Sequence, residues 1–169
     1  MKILILGDIY AGKTTIINEL LLDHPNFEYI SIDIIRNKTN NEQKAQKIFI
    51  NEIEQNKNQI IEATGFGQEG KLLLKKLKNS ENKLLVVILR TDYGIILSRK
   101  KLKPKNLNFT NYSKMLPRMI ISVHKKLEQG ELFSSWNNIN NATILQIYNN
   151  SLKDKELIIN LIKGYINNA

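Results

Sequence analysis

Four residues near the amino end could grip a polyphosphate. Gly7, Gly12, Lys13 and Thr14 occupy the fixed positions of the pattern G-x-x-x-x-G-K-[ST] in Gly7-Asp8-Ile9-Tyr10-Ala11-Gly12-Lys13-Thr14. The chemistry needs those types at that spacing. Glycines let successive backbone N–H groups converge on an anion. The lysine brings a mobile positive charge to the outer phosphates, and the next hydroxyl can ligate Mg²⁺. A helix opening here adds its dipole. The nucleotide-binding set read from the pattern is Gly7, Tyr10, Ala11, Gly12, Lys13, Thr14 and Thr15.

Three further groups could complete a reaction centre. Asp33 and Arg36 lie three residues apart in Ser31-Ile32-Asp33-Ile34-Ile35-Arg36, so a helical turn would point both the same way. The carboxylate could orient an acceptor hydroxyl and take its proton. The arginine could hold an anionic acceptor through a two-pronged contact. An ordinary surface ion pair is the competing reading. Glu62 stands in Ile60-Ile61-Glu62-Ala63-Thr64-Gly65-Phe66-Gly67, where nucleotide enzymes usually carry an aspartate that holds water around Mg²⁺. Thr64, Gly65 and Gly67 then read as an open turn where backbone could approach a substrate. Arg99 heads a basic stretch, 99–110, with Lys100, Lys101, Lys103 and Lys105. Such a segment could close over a nucleotide, spreading positive charge around a migrating phosphoryl group and excluding water.

These residues need elements that bring them to one edge. The run Ile3-Leu4-Ile5-Leu6 reads as a strand just before the phosphate pattern, and 14–22 as a helix just after it. Further strands are expected at 28–32, 59–63, 83–89 and 142–147. The continuous apolar run Leu84-Leu85-Val86-Val87-Ile88-Leu89 suits a strand buried on both faces. Helical spacing predicts helices at 40–57, 67–78 and 111–129, the last kinked or restarted at Pro117. A closing helix starts at Ser151, an N-cap with Asp154 three residues on. The stretch 134–141 reads as a polar loop, with Trp136 as its anchor in the domain. Alternating strands and helices predict an α/β, three-layer sandwich: a parallel sheet covered on both faces, with ligands at the carboxyl ends of its strands.

Composition narrows the partners. One domain suits 169 residues. Without cysteine there can be no disulfide, zinc thiolate or cysteine nucleophile. The two histidines, His24 and His124, read as surface or helix-end residues. Lys2 is followed by four apolar residues, too few for a signal core or a membrane span, so the expectation is a cytoplasmic protein without a membrane partner. A net charge of +9 suits an anionic partner, nucleic acid being one candidate.

The chain resembles the P-loop kinases of the nucleoside-monophosphate-kinase type, within them the group of polynucleotide 5′-hydroxyl kinases, zeta-toxin-like kinases, gluconate kinase and adenylylsulfate kinase. The resemblance rests on GDIYAGKTT at 7–15, SIDIIR at 31–36, IIEATGFG at 60–67 and VVILRTDYGIILSRK at 86–100. The passage ILQIYNNSLKDKELIINLI at 144–162 is similar to the last strand, base-side loop and closing helix. It implies five parallel strands in the order 2-3-1-4-5, ATP and Mg²⁺ as cofactors, and transfer of the γ-phosphoryl group to a hydroxyl or phosphate acceptor. By position it implies Lys13 on the β- and γ-phosphates and Thr14 on Mg²⁺. Glu62 would act there through water. Asp33 becomes the base, Arg36 the acceptor anchor and Arg99 a lid arginine, with Thr64 and Gly65 beside the substrate. Asn149 and Asn150 would lie near the adenine. The chain departs from the family at Tyr10, where many relatives have glycine, at Glu62, and in a lid richer in lysine than arginine. Two other readings compete. A non-catalytic nucleotide-binding protein would tolerate those departures. A small GTPase would share the phosphate pattern but needs N-K-x-D after the fourth strand, where this chain has Leu89-Arg90-Thr91-Asp92.

Overall fold

The computed structural model describes residues 1–78, 80, 82–102, 112–137, 139 and 141–168, with backbone alone for 112–117. Lys103 and Lys105 of the expected basic lid lie outside the described residues. The elements are β1 (Lys2–Gly7), α1 (Lys13–Asp23), β2 (Glu28–Ser31), α2 (Ile32–Thr39), α3 (Glu42–Glu54), β3 (Gln59–Ala63) and α4 (Gly67–Leu77). Then follow β4 (Leu84–Arg90), α5 (Tyr93–Leu102), α6 (Tyr112–Glu128), α7 (Glu131–Trp136), β5 (Ala142–Tyr148) and α8 (Leu152–Asn167).

All five strands are parallel, in the order β2-β3-β1-β4-β5. Burial agrees with this order. β1 and β4 are apolar on both faces, so they take central positions with helices on either side. On one face Leu4, Leu6, Val86 and Ile88 pack with Phe49 and Ile53 of α3, Leu73 of α4, Val123 of α6 and Trp136 of α7. On the other, Ile3, Ile5, Leu85 and Val87 pack with Ile16, Ile17 and Leu20 of α1 and Ile158, Ile159 and Ile162 of α8. No helix among the described residues is long and apolar enough to cross a membrane.

Two expectations need correction. Residues 134–136 are not loop but the end of α7, because Leu132 and Trp136, one turn apart, both bury against the sheet. α6 runs as one helix through Pro117. The proline removes one backbone bond in the second turn, while Ile120, Val123 and Leu127 hold the remainder to the core. The expected cap of the last helix is present as a reciprocal pair: Ser151 accepts from the Asp154 N–H, and Asp154 from the Ser151 N–H.

The turn after β3 is fastened by glycine. A Cβ on Gly70 would stand 2.1 Å from the carbonyl oxygen of Gly65, backbone against backbone. Gly70→Ala should therefore lose about 1–3 kcal/mol in urea denaturation, the usual range for overpacking. Gly164 is in α8 with nothing within 4 Å of an added Cβ. Gly164→Ala should instead gain up to about 1 kcal/mol from helix propensity.

Candidate active site

The phosphate pattern folds into an open bend between β1 and α1. Three of its residues have positive φ: Gly7 at 148°, Tyr10 at 69° and Gly12 at 89°. A Cβ on Gly7 would meet the Leu89 carbonyl oxygen at 2.7 Å, so β4 requires glycine there. Tyr10 takes the left-handed conformation that glycine supplies more cheaply, at a cost of roughly 1 kcal/mol. The bend therefore keeps its shape despite the substitution noted above.

Lys13 is almost fully buried, and its ammonium donates to the carbonyls of Gly7, at 3.1 Å, and Asp8, at 2.8 Å. Burial pulls its pKa down, and the charges of Glu62, Asp8, Asp33 and Glu69 pull it back up. The outer side of the bend is tied by two partners. Arg99 donates from Nη1 to the carbonyls of Ala11, at 3.2 Å, and Tyr10, at 3.4 Å, and from Nη2 to that of Asn149. The Asn149 side chain donates from Nδ2 to the Ala11 carbonyl at 2.6 Å. Gly12 gives this amide its room, since a Cβ there would lie 2.7 Å from Nδ2. Asn150 accepts from the Asp92 N–H. Arg99 and Asn149 thus both grip loop carbonyls, while inside the bend the N–H groups of Ile9 and Ala11 donate to the Asp8 carboxylate and carbonyl.

At the carboxyl ends of β2 and β3 a second group assembles. The Thr14 hydroxyl donates to the Glu62 carboxylate, with 3.0 and 3.1 Å to its two oxygens. The Tyr29 hydroxyl donates to Glu62 Oε2 as well. Mg²⁺ prefers hard oxygen donors and keeps most of its sphere for water and substrate phosphates. Thr14 fits, because a hydroxyl that gives its proton to Glu62 keeps lone pairs for a cation. No cluster of three or more acidic, histidine or cysteine side chains suited to a metal occurs among the described residues.

The third group surrounds Arg36. Asp33 is 72% exposed, whereas the Arg36 side chain is only 14% exposed and engages three carboxylates. Nη1 meets Asp33 at 2.9 Å, Nε and Nη2 meet Glu42 at 2.8 Å each, and Nη2 lies 3.6 Å from Glu69. Asp33 and Arg36 do face the same way, as their spacing predicts. Thr64 accepts from the Phe66 N–H at 3.4 Å. At Gly65 a Cβ would press Leu132 at 2.7 Å and Leu6 at 3.2 Å, so that side of the turn is packed on the core, whereas a Cβ on Gly67 would meet nothing within 4 Å. Thr15 is exposed on α1, with no hydrogen bond from its side chain recorded among the described contacts.

No family profile and no curated protein sequence matches the chain. Solved structures do. A shikimate kinase from Bacteroides thetaiotaomicron is similar over 99% of this chain and 98% of its own, with TM-score 0.61 and 13% identity. A shikimate kinase from Acinetobacter baumannii in complex with shikimate matches over 99% and 93%, with TM-score 0.62 and 17% identity. A gluconokinase from Sinorhizobium meliloti 1021 matches over 98% and 94%, with TM-score 0.55 and 7% identity. The chain has the fold of these small kinases.

Several residues of the site escape sequence reasoning. His124 is not simply a surface residue: α6 brings its Nδ1 to 3.4 Å from Oδ2 of the fully buried Asp8, and its ring against Tyr93. Burial pushes the Asp8 carboxyl up to about 6, against the N–H of Ile9 and the charges of His124 and Lys13. Glu69 comes from the first turn of α4, and Tyr29 from β2. Only Glu69 carried a signal, since it follows the glycine-rich turn at the end of β3.

Burial pushes Glu69 up to about 7, outweighing the opposing charges of Arg36 and Lys13. In the unfolded chain a glutamate ionises near about 4.3. Between these values the folded protein keeps a proton that the unfolded chain has lost, so the contribution of Glu69 to stability falls as pH rises. Glu69→Gln cannot ionise. Its urea midpoint relative to wild type should therefore improve between about pH 4.5 and about pH 7.5.

Proposed function

We propose that this protein is an ATP- and Mg²⁺-dependent phosphotransferase acting on a small hydroxyl-bearing metabolite. The observation that carries the reading is the placement of Lys13. Its buried ammonium is held by carbonyls at the base of an open amide bend, in a fold whose solved neighbours include shikimate kinase and gluconokinase.

In this reading the amides of the bend and the opening of α1 hold the phosphate tail. Lys13 leaves its carbonyls for the β- and γ-phosphates and offsets the charge that develops on the migrating group. Thr14, supported by Glu62, would hold Mg²⁺, which would supply positive charge to neutralise phosphate oxygens. Asp33, exposed at the end of β2 beside Arg36, orients the acceptor hydroxyl and takes its proton. That oxygen bonds to the γ-phosphorus as the bond to the departing ADP oxygen breaks. Arg99 and Asn149 act as positioning residues that hold the loop from outside. The small-GTPase alternative loses support, since α3 fills the region where a GTPase would carry an extended switch and strand. The named neighbours are shikimate kinases and a gluconokinase, so a small metabolite is favoured over a nucleic-acid acceptor.

Lys13→Ala should lower the rate of phosphoryl transfer by about 10²–10³, the usual cost of removing a preorganised charge stabiliser. Asp33→Asn should lower kcat more than it weakens ATP binding. Both are checked by γ-labelled ATP transfer to pooled small metabolites, alongside calorimetric ATP titration. Full turnover by Lys13→Ala would remove the mechanism. ATP binding with no turnover by wild type would favour a nucleotide-binding protein without catalysis.

A further inference from the structure

Tyr29 lies in no recognised motif, yet its hydroxyl reaches the heart of the site. The strand register explains how. Ser31 of β2 pairs with Glu62 of β3, and Tyr29 pairs with Ile60. Side chains two apart share a sheet face, so Tyr29, Ser31, Ile60 and Glu62 all point the same way, toward α1 and Thr14. On that face the Tyr29 hydroxyl donates to Oε2 of Glu62, and the hydroxyls of Ser31 and Thr14 lie against it. Glu62 thus accepts hydrogen bonds from two hydroxyls on two different elements, α1 and β2.

The usual residue at the end of this strand is an aspartate. Glutamate adds a methylene and a rotatable bond, which would let its carboxylate wander. A phenol fixed by the sheet removes that freedom. We propose that Tyr29 is a positioning residue for the metal site: it pins the longer Glu62 carboxylate against Thr14, so that the threonine oxygen is presented to the Mg²⁺ of a bound nucleotide. Partners that hold a metal-site residue from behind commonly change metal affinity by tenfold or more when removed. This inference rests on the nucleotide–Mg²⁺ reading above.

The test uses the full-length chain, ADP, and Mn²⁺ as a spectroscopic substitute for Mg²⁺. Tyr29→Phe keeps the ring and removes only the hydroxyl, and circular dichroism checks the fold. By electron paramagnetic resonance, Tyr29→Phe should weaken Mn²⁺ binding to the protein–ADP complex by about tenfold. Metal-free ADP affinity, measured by calorimetry in EDTA, should stay within about twofold of wild type. Glu62→Gln should weaken Mn²⁺ binding similarly, and the double variant should lose little beyond either single one, because both act through one carboxylate. Wild-type Mn²⁺ affinity in Tyr29→Phe, or losses that add in full, would overturn the proposal while leaving the kinase reading standing. Failure of wild type to bind ADP at all would sink the kinase reading and this one together.

Discussion

A buried ammonium is expensive unless something answers it, and Lys13 is buried at the centre of this structure. Its recorded hydrogen bonds go to two backbone carbonyls, of Gly7 and Asp8. Those carbonyls point inward only because the bend carries positive φ at Gly7, Tyr10 and Gly12. The bend in turn holds its shape because Arg99 and Asn149 occupy the outward carbonyls of Tyr10 and Ala11. Arg99 comes from the helix after β4, and Asn149 from the residue after β5. The local geometry of eight residues therefore depends on the whole right half of the sheet. A phosphate would satisfy the ammonium better than a carbonyl does.

Much of this was legible in the sequence because it depends on short-range pattern. Continuous apolar runs marked β1 and β4, and the threefold and fourfold spacing of apolar residues marked the long helices. Four fixed residue types marked the bend between β1 and α1. Strand order came from resemblance and not from periodicity, since hydrophobic pattern does not encode which strand neighbours which.

Residues joined by tertiary contact were not legible. His124 meets Asp8 across more than a hundred residues, and neither belongs to a spacing pattern that predicts the other. Gly65 looked like an opening because glycine after a strand often is one. The side of it that lacks a Cβ is filled by Leu132, from a helix whose last three residues, 134–136, read as polar loop. Arg36 was visible as half of an ion pair, but its other carboxylates come from α3 and α4, beyond the reach of local spacing.

The contact between Gly70 and Gly65 has a mechanical meaning for the acceptor side. Main chain rests on main chain there, with space for hydrogen alone, so the start of α4 has no slack. Glu69, the preceding residue, shares that rigidity. Arg36 and the short helix that carries it are joined to Glu69 by a looser, 3.6 Å approach. Arg36 therefore takes its position from a fixed point on α4, and α3 is anchored to the same helix by the Lys76–Glu54 pair and by Phe49 and Ile53 in the shared core.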